Sequence, residues 1–183
     1  MSRNYKIKEQ KLSHFVSFAV VNWIDVFIRK IYFDIVIKNL IYCQENKGLV
    51  IYGCCIMSSH VHLIIGTVKE KQEDILRDFK KHTAKELIKA IKNNQQESRK
   101  EWLIWMFKKA AEKNSNNTIH QFWRQNNQPI EMSHSNLLRQ KLNYIHNNPL
   151  VSGLVRKAEY YSYSSAIDYS GGKGLIDIRM EEL

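Results

Sequence analysis

Hydrophobic and polar positions along the N-terminal part of the chain predict a strand, a helix and a second strand. Residues 14–21 are rich in aromatic and β-branched side chains, which predicts the first strand. Between residues 26 and 45 apolar side chains recur at helical spacing, and Gly48 follows in position for the left-handed conformation that ends many helices. Residues 49–57 are apolar at nearly every position, which is typical of a central strand covered on both faces.

A further strand and a long helix extend this pattern. Ser58 and Ser59 suit a tight turn, so a strand from His60 to Thr67 pairs most easily with its predecessor as an antiparallel hairpin. Apolar side chains at helical spacing then predict a helix over residues 72–93. This order of elements predicts an α+β fold: a ferredoxin-like antiparallel sheet with helices packed on one face.

The second half of the chain is more broken. A helix is predicted over residues 101–112, between polar segments at 94–99 and 114–117. Two short extended pieces are predicted at 119–123 and 129–132.

One more helix closes the predicted core. Ser133 or Ser135 can cap this helix, and Pro149 is expected to stop it. No domain boundary is evident, so we expect a single domain with a core of about residues 13–165 and a C-terminal tail of 166–183.

Charge narrows the class of partner. The 183 residues carry a net charge of +10, which favours a polyanionic partner over a merely soluble basic protein. Such a partner is usually nucleic acid and less often an anionic membrane surface. The three cysteines form no CxxC pair, so neither a disulfide framework nor a zinc knuckle is expected.

The longest apolar run, residues 49–57, is far shorter than the roughly 20 residues that span a bilayer, and no signal peptide is evident. We expect a cytoplasmic protein with no membrane partner.

The predicted long helix carries most of its positive charge on one face. A charge run on a helix is usually a solvated surface, but charges of nearly one sign favour a track for phosphates. The residues on this helix that are predicted to contact phosphates, and so DNA if the polyanion is DNA, are Arg77, Lys80, Lys81, Lys85 and Lys89.

Two histidines offer a site for a metal ion. His60 and His62 flank Val61 in the predicted strand, so both imidazoles point to one face and can converge on one ion. Imidazole is the commonest metal ligand in proteins. As a bare pattern this spacing is weak, because two histidines can simply decorate a strand.

A tyrosine on the last predicted helix offers a nucleophile. Tyr144 shares a helix face with Lys141 and Asn148, at spacings of three and four residues. A tyrosine hydroxyl is a poor nucleophile at its ordinary pKa of about 10, but a divalent cation that polarises a phosphate makes its attack feasible. Covalent capture also conserves bond energy, so that a cut strand can be rejoined.

These residues resemble the single-tyrosine HUH transposases, specifically the REP-associated tyrosine transposases. The similar stretches follow the family's order and comprise residues 56–65, 79–83, 122–123, 144–149, 153–155 and 163–165. The chain departs from the family at Ser58 and Ser59, where a proline and an asparagine usually precede the first histidine.

The resemblance implies an enzyme that cleaves and rejoins single-stranded DNA beside REP-like hairpins, without ATP. It implies that His60 and His62 bind Mg²⁺ or Mn²⁺, with Asn148 as the third ligand, and that Tyr144 forms a 5′-phosphotyrosine. Lys141 is expected to contact the DNA, and the protein to act as a monomer or a homodimer. Two imidazoles and an amide favour Mn²⁺ on chemical grounds.

Several alternatives stay open at this stage. Trp123 is a predicted DNA contact that would stack on a base, and packing in the core is its alternative. His146 suits a packing or phosphate contact, and the three tyrosines Tyr160, Tyr161 and Tyr163 are alternative nucleophiles. The rival functions are a non-catalytic nucleic-acid-binding domain and a metal-dependent nuclease that uses water.

Overall fold

A computed structural model describes residues 7, 9–113, 119–125 and 128–180. Over these residues the elements are, in chain order, β1 (His14–Ala19), α1 (Lys30–Lys47), β2 (Leu49–Ile56), β3 (His60–Thr67), α2 (Gln72–Asn93), α3 (Lys100–Glu112), β4 (Ile130–Glu131), α4 (Ser135–Val151) and α5 (Ala166–Tyr169). Single 3₁₀ turns lie at Val21–Trp23 and Ala158–Tyr160. The polar segment predicted at 114–117 lies outside the described residues.

The four strands form one antiparallel sheet in the order β2-β3-β1-β4. This is the strand order of the ferredoxin-like fold. Strands β2 and β3 form a hairpin, and β1 pairs with the other edge of β3. In the register of β1 and β3, His60 lies opposite Ala19 and His62 opposite Ser17. The predicted α+β class and antiparallel sheet are confirmed.

Helices cover both faces of the sheet. On one face Val61, Leu63 and Ile65 pack with α1 and α2 in the main core, as expected. On the other face Ile64 packs with the apolar stripe of α4, Leu138, Leu142 and Ile145. The prediction that helices lie on one face is therefore wrong for α4. Its physical reason is that β2 is apolar on both faces and β3 carries Ile64 on the second face, so that face also needs cover.

Strand β2 lies at an edge of the sheet, where a central position was expected. Its outer edge is paired by the C-terminal segment: the backbone N–H of Ser165 donates to the Cys54 carbonyl, and that of Arg179 to the Ile51 carbonyl, both at 2.9 Å. Ile176 in the same segment is buried. Residues of the tail thus complete the core and protect an edge that would otherwise be open to pairing.

Both ends of α4 differ from the prediction. The cap is His134, whose Nδ1 accepts from the backbone N–H of Leu137 at 3.2 Å, whereas Ser133 or Ser135 was expected. Pro149 lies inside the helix, which runs on to Val151. A proline this close to a helix end removes one backbone donor and leaves the remaining bonds intact, so it does not end the helix at once.

No helix of the described residues is both long enough and apolar enough to cross a membrane.

Candidate active site

Strand β3 holds two imidazoles together on one face of the sheet. The rings of His60 and His62 have centroids 4.7 Å apart and planes at 78°. His62 is buried, His60 is half-buried, and the intervening Val61 points into the opposite core. The period-two alternation of a strand produces this arrangement.

The nitrogens of His62 lack the partners that buried polar atoms usually have. Both Nδ1 and Nε2 are buried and form no hydrogen bond with the described residues. Nδ1 of His60 is hydrogen-bonded to Oγ of Ser59 at 3.2 Å. Because an unpaired buried polar atom costs free energy, such a group indicates a ligand or an ordered water.

Burial keeps the histidine pair neutral. Burial, then His60 and Lys141, lower the pKa of His62 to about 3. Burial also lowers the pKa of His60, although the carboxylate of Asp25 opposes this shift. Neutral imidazole is the form that binds a metal ion.

Helix α4 brings Tyr144 beside this pair. The Tyr144 ring meets the His62 ring edge-on, with 5.3 Å between centroids, and contacts Phe15 in the same way at 6.1 Å. The neighbouring Ile145 is fully buried, which anchors the helix, while Tyr144 itself is 50% exposed. An exposed phenol beside two neutral imidazoles is well placed to reach a bound phosphate.

A positive charge lies next to the tyrosine. The Lys141 Nζ is 5.8 Å from the Tyr144 ring centroid and 5.0 Å from that of Phe15. Among the predicted DNA-binding residues, Lys141 is the one that the structure places at the histidine pair.

Asn148 follows Tyr144 by one turn of α4. Its amide Nδ2 is buried without a hydrogen-bond partner among the described residues. Rotation of the amide by half a turn would place its oxygen, the atom that binds metal ions, in that position. The described residues contain no cluster of three His, Cys, Asp or Glu side chains suited to a metal. A metal bound by His60 and His62 would therefore need a further ligand of another kind, and Asn148 stays the predicted one.

Trp123 does not contribute an exposed ring. It is 5% exposed, its Nε1 donates to Oγ1 of Thr83 at 3.0 Å, and its ring packs edge-on against Phe18. The segment that carries it continues the sheet through a bridge to Val20. The prediction that Trp123 contacts DNA is wrong, because tertiary pairing turns its side chain into the core.

The basic helix face lies on the opposite side of the sheet from the histidines, because α2 packs in the main core. Lys81, Lys85 and Lys89 are exposed there. Arg77 is paired with Asp74 and Asp78, so much of its charge is compensated. Arg77, Lys81, Lys85 and Lys89 stay predicted phosphate contacts. A DNA strand that contacted both these residues and Tyr144 would have to pass around the β-sheet.

The side chain of Lys80 does not lie on the exposed face of α2 with Lys81, Lys85 and Lys89. Its Nζ donates to the carbonyl of Arg124 at 3.0 Å and lies 5.8 Å from the Phe18 ring centroid. Burial lowers the pKa of Lys80 to about 8. The prediction that Lys80 tracks phosphates on the exposed face is corrected: its side chain folds towards the end of the sheet that carries His60.

The other candidate side chains are engaged elsewhere. His146 is hydrogen-bonded through Nε2 to Oγ of Ser165 at 2.8 Å, which makes it a packing residue. Tyr161 donates to the Ile56 carbonyl at 2.8 Å, and Tyr163 stacks on Phe33. Tyr160 is exposed, on the 3₁₀ turn that follows α4.

Sequence reasoning missed two residues at the rim of the site. Trp23 lies edge-on to His60 with centroids 5.3 Å apart, and the guanidinium of Arg124 lies 5.4 Å from the Trp23 ring centroid. No spacing pattern connects these residues with His60. Their proximity depends on the turn after β1 and on the bridge of Val20 to Trp123.

Comparison with solved structures places this geometry in a known fold. The structure of a REP-associated tyrosine transposase bound to a REP hairpin matches 100% of this chain and 95% of its own, with a TM-score of 0.64 and 13% identity. The two chains share a fold. The resemblance seen in the sequence is thus confirmed at the level of the fold.

Other comparisons add less. A candidate transposase from Deinococcus radiodurans R1 matches 80% of this chain and 95% of its own at 16% identity, with a TM-score of 0.44 that is too low to carry weight. No protein-family model and no curated protein matches the sequence.

Proposed function

We propose that this protein cleaves and rejoins hairpin-bearing single-stranded DNA through a covalent bond to Tyr144, as a transposase-like enzyme. The observation that carries the proposal is the contact of the half-exposed Tyr144 ring with His62, whose buried nitrogens lack partners. A phenol, a pair of neutral imidazoles and a lysine in one place suit attack on a phosphodiester.

In the proposed reaction the Tyr144 hydroxyl oxygen attacks the phosphorus of a phosphodiester. The bond from phosphorus to the 3′ oxygen breaks, and a 5′-phosphotyrosine forms. The phenolic proton passes to solvent, and the departing 3′ oxygen takes up a proton to become a 3′-hydroxyl. Attack of a 3′-hydroxyl on the phosphotyrosine reverses these steps, which rejoins strands and frees Tyr144 without an added energy source.

His60, His62 and the amide oxygen of Asn148 would hold a divalent cation. Such an ion, when bound, supplies Lewis-acid polarisation of the phosphate and charge neutralisation. Its identity is Mg²⁺ or Mn²⁺, and the two imidazoles favour Mn²⁺. The chain's own contribution is to keep both imidazoles neutral through burial and to hold Lys141 beside the phosphate that Tyr144 attacks.

Hairpin-bearing single strands are the proposed substrate for two reasons. The net charge of +10 suits a polyanion. One solved structure that matches the whole chain is that of a REP-associated tyrosine transposase bound to a REP hairpin.

The direct experiment incubates the protein and Mn²⁺ with end-labelled DNA hairpins that carry single-stranded flanks. We expect a labelled protein–DNA adduct that survives denaturing electrophoresis. A water-using nuclease would cut the flank and leave no adduct, and a non-catalytic binding domain would bind without cutting. Either result would contradict the proposal.

A further inference from the structure

A large aromatic side chain is exposed beside the histidine pair. Trp23 is 53% exposed, although its indole and the ring of His60 are in edge-to-face contact. The two ring planes meet at 74°. Trp23 therefore forms a wall of the site described above while much of its indole remains open to solvent.

The backbone that presents this indole is strained. Asn22 and Trp23 have φ values of 56° and 55°, a left-handed conformation that L residues rarely adopt and that a bulky aromatic residue disfavours. Hydrogen bonds hold the turn in place: Val20 donates to the Ser59 carbonyl and Val21 to that of Phe122, both at 2.8 Å. An exposed indole buries little apolar surface, so packing within this chain does not account for the strained backbone at Trp23.

Arg124 completes the feature from a second segment. Its guanidinium carbon lies 5.4 Å from the Trp23 ring centroid, while its backbone N–H donates to the Ala19 carbonyl at 2.8 Å. Its own carbonyl accepts from Nζ of Lys80 at 3.0 Å. The backbone of Arg124 is thus fixed, whereas its charged group remains exposed beside the indole.

We propose that Trp23 and Arg124 form a nucleotide-binding subsite that holds one unpaired nucleotide of the strand next to the histidine pair. The indole offers an aromatic face on which a base can stack, and the guanidinium offers a partner for the adjacent phosphate. The subsite deepens the proposed function and rests on it, since it positions the strand that Tyr144 attacks. Its chemistry is tolerant of base identity, because every base has a π face.

The test measures binding without cleavage. Fluorescently labelled DNA hairpins with an oligothymidine flank are titrated with protein in EDTA, and affinity is read by anisotropy. Trp23→Ala should bind roughly tenfold or more weakly than wild type, while Trp23→Phe, which keeps a ring, should stay within a few-fold. The matched control is Trp105→Ala on α3, because Trp105 is also 53% exposed and should leave affinity unchanged. Equal melting temperatures establish that each variant is folded.

A set of abasic flanks locates the stacked nucleotide. At one flank position, loss of the base should weaken binding by wild type and have little further effect on Trp23→Ala, because both changes remove the same contact. Arg124→Gln should lower the slope of log affinity against log salt by roughly 0.7, the value for one phosphate contact on a single strand.

Three results would overturn the subsite. The first is a Trp23→Ala variant that binds the hairpins as tightly as wild type does. The second is a loss of affinity at each abasic position that is the same for wild type and for Trp23→Ala. An unchanged salt slope in Arg124→Gln would remove the phosphate contact. Failure of the proposed function itself looks different: wild type would form no covalent adduct with the hairpins in Mn²⁺, whether or not the Trp23 and abasic effects on binding are seen.

Discussion

The ring of Tyr144 lies edge-on to the ring of His62, with centroids 5.3 Å apart and planes at 73°. This contact requires α4 to approach the sheet closely. Gly53 on β2 allows that approach, because a Cβ built there would lie 2.6 Å from Cδ2 of Leu142 and 3.0 Å from Cδ1 of Ile145. A glycine in the sheet thus helps to place the proposed nucleophile above the histidine pair.

Loss of either histidine should abolish metal binding. Wild-type protein is expected to melt at a higher temperature as Mn²⁺ is added, because an ion that binds only the folded state stabilises it by mass action. His60→Ala and His62→Ala should lose that shift, since one imidazole holds a divalent ion weakly. The measurement is a thermal melt against Mn²⁺ concentration.

The matched control for the metal is His82→Ala. His82 is exposed on α2, where it pairs with Glu86, so its loss should leave the Mn²⁺ shift intact. A full Mn²⁺ shift in the double variant of His60 and His62 would show that the pair is not the metal site.

Charge reversal on α2 should weaken DNA binding in a salt-dependent way. Lys81→Glu with Lys85→Glu removes two exposed charges and should lower the slope of log affinity against log salt by roughly 1.4, at about 0.7 per contact. Lys108→Glu with Lys109→Glu on α3 changes the net charge equally and serves as the control. If both double variants shift the slope by the same amount, general charge and not the α2 face attracts the DNA.

Glu97 should stabilise the fold through its ionised form. Its buried carboxylate pairs with Nε of Arg29 at 3.2 Å and Nε of Arg99 at 3.0 Å, and accepts from the Tyr32 hydroxyl at 3.2 Å. Burial alone would raise the pKa of Glu97, but the bonds and charge of Arg99 outweigh it and bring the pKa to about 2. Glu97→Gln should lower the free energy of unfolding at neutral pH by roughly 2 kcal/mol.

The stability lost in Glu97→Gln should depend on pH, because the pKa of Glu97 differs between the folded and unfolded states. The folded pKa lies below the ordinary value of 4.5, so the contribution of Glu97 is present above pH 4.5 and is lost as the pH falls towards 2. Urea unfolding should show the gap between wild type and Glu97→Gln closing over that range. The exposed Glu101→Gln is the control, and a gap independent of pH would mean that the ionised carboxylate is not the source.

Elements with strong periodicity were predictable from the sequence. The helix over 72–93 has the predicted bounds, because its apolar stripe is long and its neighbours are polar. The shared face of His60 and His62 followed from strand alternation alone. Both features are local, so a one-dimensional pattern contains them.

Features that depend on distant pairing were not predictable. The uniform apolarity of β2 suggested a central strand, yet it arises because both faces of an edge strand are covered and its outer edge is paired by the tail. Trp23 and Trp123 are the same residue type, but the bridge to Val20 buries Trp123 while the turn after β1 exposes Trp23. The position of Tyr144 over His62 was expected from family resemblance, because no spacing rule connects α4 with β3.

The most direct test of the account compares wild type with Tyr144→Phe in the presence of a labelled hairpin and Mn²⁺. Wild type should form a denaturant-resistant adduct, and mass spectrometry of its peptides should place the phosphate on Tyr144. The phenylalanine variant removes one oxygen and little packing, so it should fold and bind DNA as before. Its strand cleavage should fall by about 10⁴-fold or more, as for other lost nucleophiles.

Tyr160→Phe is the matched control for this measurement. Tyr160 is also exposed, at 63%, and a lysine, Lys157, lies 5.7 Å from its ring centroid. The Tyr160→Phe variant should form the protein–DNA adduct at the wild-type rate. An adduct of undiminished yield in Tyr144→Phe, or cleavage at the same position without an adduct, would contradict the central claim that Tyr144 is the nucleophile.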